Sequence, residues 1–188
     1  MLAAVMITLA VCAVAAVATI AMFNSLVALG RRCEQASADI DVQVKQRFDL
    51  IPNLVEVVKG YAGHERGTLE AVMKARSASV LAATPAAAVQ ADAALGSALG
   101  RLTAVADAYP DLKASTNFAE LQAELSDIEN KIAAARRYLN SAVNEYNTTR
   151  EQFPANLIAG MFSFGGREAT VIASASRAAV EAAPEVHF

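Results

Sequence analysis

Few residues in this sequence are equipped for chemistry, and their spacing works against it. His64, Glu65 and Glu70 offer the nitrogen and carboxylate donors that bind metal ions. A zinc-protease helix needs a second histidine four residues after the first, and that place holds Thr68. The other histidine, His187, is far along the chain. The group therefore reads as the polar start of a helix. Cys33 has no base beside it in sequence to generate a thiolate, and Cys12 lies in an apolar run, so neither points to nucleophilic catalysis. The two cysteines also imply no disulfide framework.

The carboxylates Asp39, Asp41, Asp49 and Glu56 crowd one stretch and invite an acid–base or metal role. Their spacing favours ion pairs along a solvated helix face. Asp41 and Lys45 are four apart, as are Lys45 and Asp49, and Glu56 precedes Lys59 by three. Each such pair stabilises a helix by about 0.2–0.5 kcal/mol. Asp39 and Asp41 retain a role as a juxtamembrane polar contact with a partner. No glycine-rich phosphate loop is present. The formal charge of −3 and isoelectric point near 5.4 leave no concentrated basic surface for nucleic acid. No enzyme, metal site or cofactor is expected.

The elements that would position these groups begin with an apolar stretch. Apolar residues make up 55 % of the chain and charged ones 19 %, and the imbalance has a local source. Residues 2–30 carry no charge, and within 2–23 only Thr8 and Thr19 are polar. As a helix, residues 2–23 span about 33 Å, enough to cross a hydrocarbon core of about 30 Å. Asn24 and Ser25 then fall at the interface. Two processed forms compete: cleavage at Ala16-Val17-Ala18, or a lipoprotein box at Leu9-Ala10-Val11-Cys12. Both normally follow a basic start, which this run lacks, so an uncleaved anchor over 1–30 is expected. Arg31, Arg32, Lys45 and Arg47 follow the span and no basic side chain precedes it. The positive-inside rule then places the bundle in the cytoplasm and the N-terminus outside, across the inner (cytoplasmic) membrane.

Past the anchor, Ile40, Val44, Phe48, Ile51, Val55, Val58 and Ala62 recur at steps of four and three. Leu50, Leu54, Val57 and Tyr61 add a second stripe beside them. The phase continues through Pro52, which marks a bend in one buried helix and not its end. The proline costs about 3 kcal/mol in an exposed interior, a sum that burial of both stripes can offset. Gly60 and Gly63 stop this helix. Helix two is expected over 65–82 and helix three over 87–108, with a proline turn at Tyr109-Pro110-Asp111-Leu112-Lys113. Asn117 and Glu120 resemble a capping box for helix four. Its seam of Phe118, Leu121, Leu125, Ile128, Ile132, Ala135, Leu139, Ala142, Tyr146 and Thr149 is coiled-coil-like. It could pair within the chain or between two copies. The expected fold is all-α: a transmembrane helix over 1–30, an antiparallel four-helix bundle of long helices over 31–152, and a membrane-proximal segment and tail over 153–188.

That topology returns helix four to the bilayer. The following piece, FPANLIAGMFSFGG, carries Phe153, Leu157, Ile158, Met161, Phe162 and Phe164. It either closes the end of the bundle or meets the membrane, as an element dipping into lipid or as a surface for a membrane partner. Arg136, Arg137 and Arg150 precede it, a placement that suits anionic lipid or, equally, the helix dipole.

Four pieces of the chain resemble the LemA family of bacterial membrane-anchored helical proteins. They are ADIDVQVKQRFDLIPNLVEVVKG with YAGHERGTLE after it, YPDLKASTNFAELQAEL, ENKIAAARRYLNSAVNEYN, and FPANLIAGMF with the terminal PEVHF. The RFDLIPNLV core is the most specific, and the family motif takes in Asp39, Asp41, Arg47, Phe48, Asp49, Pro52 and Asn53. Arg137-Tyr138-Leu139-Asn140 departs from the pattern where tyrosine directly before asparagine is typical. Gly165-Gly166-Arg167-Glu168 departs where aromatics are. The resemblance implies a membrane-tethered bundle with no assigned enzymatic activity. The expected function is a scaffold or adaptor acting on membrane protein partners, with homo-oligomers among them. A ligand-sensing bundle is the alternative.

Overall fold

The structure, a computed structural model, describes residues 1–168; the PEVHF end and His187 lie outside the described residues. It is all-helical: α1 (Leu2–Tyr61), α2 (Arg66–Val80), α3 (Pro85–Ala108), α4 (Pro110–Lys113), α5 (Thr116–Glu151) and α6 (Ala155–Met161). No strand occurs among the described residues. The apolar span and the first amphipathic helix form a single α1 of 60 residues, with no break at Gly30. Pro52 lies inside it, as the uninterrupted phase of the stripe required.

Two elements differ from the sequence expectation. The proline stretch 109–113 is not a simple turn. Pro110 opens a short helix, α4, that carries Leu112 into the core at 0 % exposure. Asn117 falls inside α5, and the capping oxygen comes from Ser115, whose hydroxyl accepts the Phe118 N–H at 3.4 Å. Serine three residues before a buried phenylalanine makes the better cap, because the helix starts two residues earlier than the Asn-Glu pair suggests. Thr84 does the same for α3, accepting the Ala87 N–H at 3.2 Å with Pro85 in the first turn.

The chain forms two compact units, and α1 and α5 contribute to each. The core unit comprises residues 40–134. Its centre takes Ile51, Leu54, Val55, Val58 and Ala62 from α1, Leu69 and Val72 from α2, and Leu95, Leu99 and Leu102 from α3. Leu112 of α4 and Phe118 of α5 complete it. Burying each large apolar side chain contributes about 1.5–3 kcal/mol, so two or three of them outweigh the mid-helix proline. The span unit comprises residues 1–39 with 135–168. Within it, Leu26, Leu29, Cys33 and Ala36 of α1 are buried, together with Leu139, Ala142, Val143 and Tyr146 of α5 and Ile158 of α6. The expected α5 seam faces inward along its length: every member from Phe118 to Thr149 is buried or half-buried.

Candidate functional site

In the core unit, the family-motif residues Arg47 and Asp49 form side-chain ion pairs. Arg47 is the one buried charged residue described, at 3 % exposure. Its guanidinium bridges Asp92 of α3 and Glu129 of α5, the latter at 2.9 Å. Burial pulls its pKa down, but the hydrogen bonds and charges of Asp92 and Glu129 more than offset this and hold it above the ordinary arginine value. Phe48 is half-buried beneath the guanidinium, 5.6 Å from ring centre to Cζ. Asp49 pairs with Lys45 at 2.6 Å and Glu56 with Lys59 at 3.2 Å, both on exposed faces. Pro52 is half-buried and Asn53 exposed, as are Asp39 and Asp41. Among the described residues no group of three His, Cys, Asp or Glu side chains could hold a metal ion. His64 is exposed, and Glu65 instead accepts the Tyr109 hydroxyl at 3.4 Å.

The denser construction is in the span unit. After α5 the chain passes a cis Phe153–Pro154 bond into α6. α6 ends with Ser163 at φ 56°, while the Phe164 N–H reaches the Ala159 carbonyl at 2.9 Å. This is the Schellman pattern, with serine where glycine is usual. It turns the chain back along α5, where three side chains hold it by its carbonyls. Arg150 Nε donates to Phe164 at 3.0 Å and the Tyr146 hydroxyl to Gly165 at 2.9 Å. Asn147 donates to the Arg167 carbonyl at 2.7 Å and accepts the Arg167 N–H at 3.0 Å.

Arg167 completes the clamp. Its guanidinium lies 5.4 Å over the Tyr146 ring and binds Glu34 of α1 at 2.9 Å. Two glycines make room: a Cβ on Gly30 would meet the Arg167 guanidinium at 3.3 Å, and one on Gly166 would meet Arg150 at 3.2 Å. The Gly-Gly-Arg departure from the family pattern is thus part of this clamp. The hydrogen bond from Arg167, followed by that from Arg31, holds the Glu34 carboxyl below the usual glutamate range. Burial raises the Cys33 thiol above its ordinary value, which keeps it protonated and unreactive.

The sequence-predicted contact residues divide around this clamp. Ile158 is buried at 7 %, and Phe164 is half-buried. Phe153, Leu157, Met161 and Phe162 are exposed at 80, 57, 76 and 54 %. Phe162 and Phe164 set their rings edge-on to Phe23, at 4.9 and 5.5 Å between centroids. Arg136 is half-buried and Arg137 exposed. Sequence reasoning missed Glu34, Asn147 and Arg167 and took Tyr146 only as a seam residue. The readable signal was a tyrosine with a hydroxyl to satisfy at the buried end of an apolar seam.

The profile of the LemA family matches residues 36–188. Magnetosome protein MamQ 2 of Paramagnetospirillum magneticum is 27 % identical over 188 residues, covering 86 % of this chain and 69 % of its own length. Magnetosome protein MamQ of Magnetospirillum gryphiswaldense is 24 % identical, with 80 % and 65 % covered. Protein LemA of Metamycoplasma hominis is 27 % identical over 137 residues, with 72 % and 63 % covered. With the matched region running from the end of the apolar stretch through both units, the chain belongs to the LemA family.

Proposed function

We propose that this chain is a single-pass, membrane-anchored helical scaffold or adaptor that acts through protein–protein contacts at the inner membrane and performs no catalysis. The observation that carries the reading is in α1. The helix is long and apolar enough to cross a membrane, and none of its apolar window is covered by protein. A free surface of that size in water is a liability unless lipid covers it. The rest of the chain, on this reading, is an antiparallel four-helix bundle of α1, α2, α3 and α5 on the cytoplasmic side. The magnetosome names of two relatives support a membrane setting. A LemA protein at the same identity gives no ground for assigning that organelle here.

A cleft in the core unit favours the second reading, a ligand sensor. About 600 Å³ is lined by Val55, Leu69 and Met73, with Glu56, Lys59, Arg66 and Glu70 at its edge. That size suits a small molecule.

The test is topology first. Asp111→Cys, in a chain also carrying Cys12→Ser and Cys33→Ala, is treated with an impermeant maleimide in intact spheroplasts. Labelling only after lysis supports a cytoplasmic bundle; labelling before lysis overturns it and favours the sensor. Photo-crosslinkers at the exposed Asn53 and Tyr138 then test for contacts. A defined membrane protein or a second copy supports the scaffold. A small molecule retained through native mass spectrometry supports the sensor.

A further inference from the structure

The span unit carries an apolar surface beyond the span itself. α6 has only seven residues, yet it separates into two faces. Ala155, Ile158 and Ala159 pack inward, while Leu157 and Met161, spaced four apart, are exposed on the other side, and the exposed Phe153 and Phe162 flank the helix at its two ends. Two aromatics, a leucine and a methionine exposed within ten residues mark a contact surface and not scattered exposure.

What covers it is indicated by where it sits. Phe23 closes the apolar run, at the level where a span starting near Leu2 reaches the edge of the hydrocarbon core. The Phe162 and Phe164 rings rest on Phe23, so the α6 contact surface continues the span's own uncovered surface.

The charges nearby argue against electrostatic attachment. Arg31 and Arg167 both pair with Glu34, Arg32 pairs with Glu145 at 3.7 Å, and Arg150 pairs with Glu151 at 3.3 Å. Arg136 and Arg137 lie roughly 20 Å back along α5 from Arg150, beyond a Debye length of about 8 Å. Lipid would therefore be met through apolar area.

We propose that α6 lies in the membrane interface, with Phe153, Leu157, Met161 and Phe162 seated among the acyl chains beneath the headgroups, and that neutral lipid suffices to hold it. This rests on the anchor reading of residues 2–23, which the test examines separately.

The chain contains no tryptophan, so a single one reports its own surroundings. Leu157→Trp, Met161→Trp, Val11→Trp in the span and Tyr138→Trp on α5 are each reconstituted as the full chain. The vesicles are phosphatidylcholine brominated at shallow or deep acyl positions. Tryptophans at 157 and 161 should emit blue-shifted and lose about half their intensity to shallow bromines, as suits burial of about 5–10 Å. Val11→Trp should respond best to deep bromines, and Tyr138→Trp to neither. Adding phosphatidylglycerol should change none of this.

If Val11→Trp is quenched while both α6 tryptophans are not, the anchor stands and the interfacial helix is overturned, which leaves that face to a protein partner. If none is quenched, the anchor reading falls and this proposal with it. Quenching at 157 and 161 only when phosphatidylglycerol is present would overturn the claim that apolar area drives the contact.

Discussion

Arg76 Nε donates to the backbone carbonyl of Phe48 at 2.6 Å. That carbonyl is the one Pro52 deprives of its helical donor, because proline has no N–H to offer four residues back. The second helix thus supplies from outside what the first lacks within. Pro52 is thereby accommodated inside α1 with the Phe48 carbonyl still hydrogen-bonded.

This bond predicts a coupling. Arg76→Met keeps the aliphatic stem, removes the donor and should cost about 1–3 kcal/mol. In a Pro52→Ala background the alanine N–H reaches the Phe48 carbonyl itself, and the same change should cost less than about 1 kcal/mol. Thermal unfolding of the full chain in detergent, followed by circular dichroism, measures both. Equal losses in the two backgrounds would remove the repair from the account.

The Arg47 cluster predicts an asymmetry. The Arg47 side chain is 4 % exposed, whereas the side chains of Asp92 and Glu129 are 26 and 45 % exposed. Asp92→Asn with Glu129→Gln leaves a buried charge without compensation and should cost about 3–5 kcal/mol. Arg47→Met leaves two carboxylates that water can reach and should cost less. Denaturation midpoints of the two variants decide it, and a larger loss for Arg47→Met would contradict the argument.

Ser163 predicts a gain. A non-glycine residue in the left-handed region costs about 1 kcal/mol, and here the Schellman turn holds it there. Ser163→Gly should slow amide exchange across residues 162–167, and Ser163→Val should accelerate it. Faster exchange in the glycine variant would mean that the serine hydroxyl, not the backbone, holds the turn.

The helices were legible because burial imposes a period. The stripes through Pro52 and along α5 could be read from apolar spacing alone, and their residues are buried or half-buried except Tyr61, which closes α1 at 48 % exposure. Asn117 misled because a capping pair is a local pattern, and the cap is Ser115, two residues earlier. Arg47 carried no sign of its partners, since Asp92 and Glu129 lie on other helices and no period links them. The clamp was hidden for the same reason. Glu34 and Arg167 are 133 residues apart, and three of the clamp's five hydrogen bonds go to backbone carbonyls, which have no letter in a sequence.

Glu34 predicts an acid-sensitive clamp. Its folded pKa is depressed, chiefly by the Arg167 hydrogen bond and then by that of Arg31. A group lowered on folding contributes its stabilisation above its unfolded pKa and loses it as pH falls through the folded one. Arg167, raised by the same bond, stays charged throughout. The segment 165–167 should therefore be fully held at neutral pH and loosen only below the usual glutamate range. The loosening should be partial, because the bonds from Tyr146, Asn147 and Arg150 do not involve Glu34. Amide exchange at Arg167, corrected for its intrinsic acid dependence, reads this directly. Glu34→Gln should show the weakened protection already at neutral pH and no further acid response. Unchanged protection through the acid range in the native chain would show that the carbonyl bonds alone hold the segment.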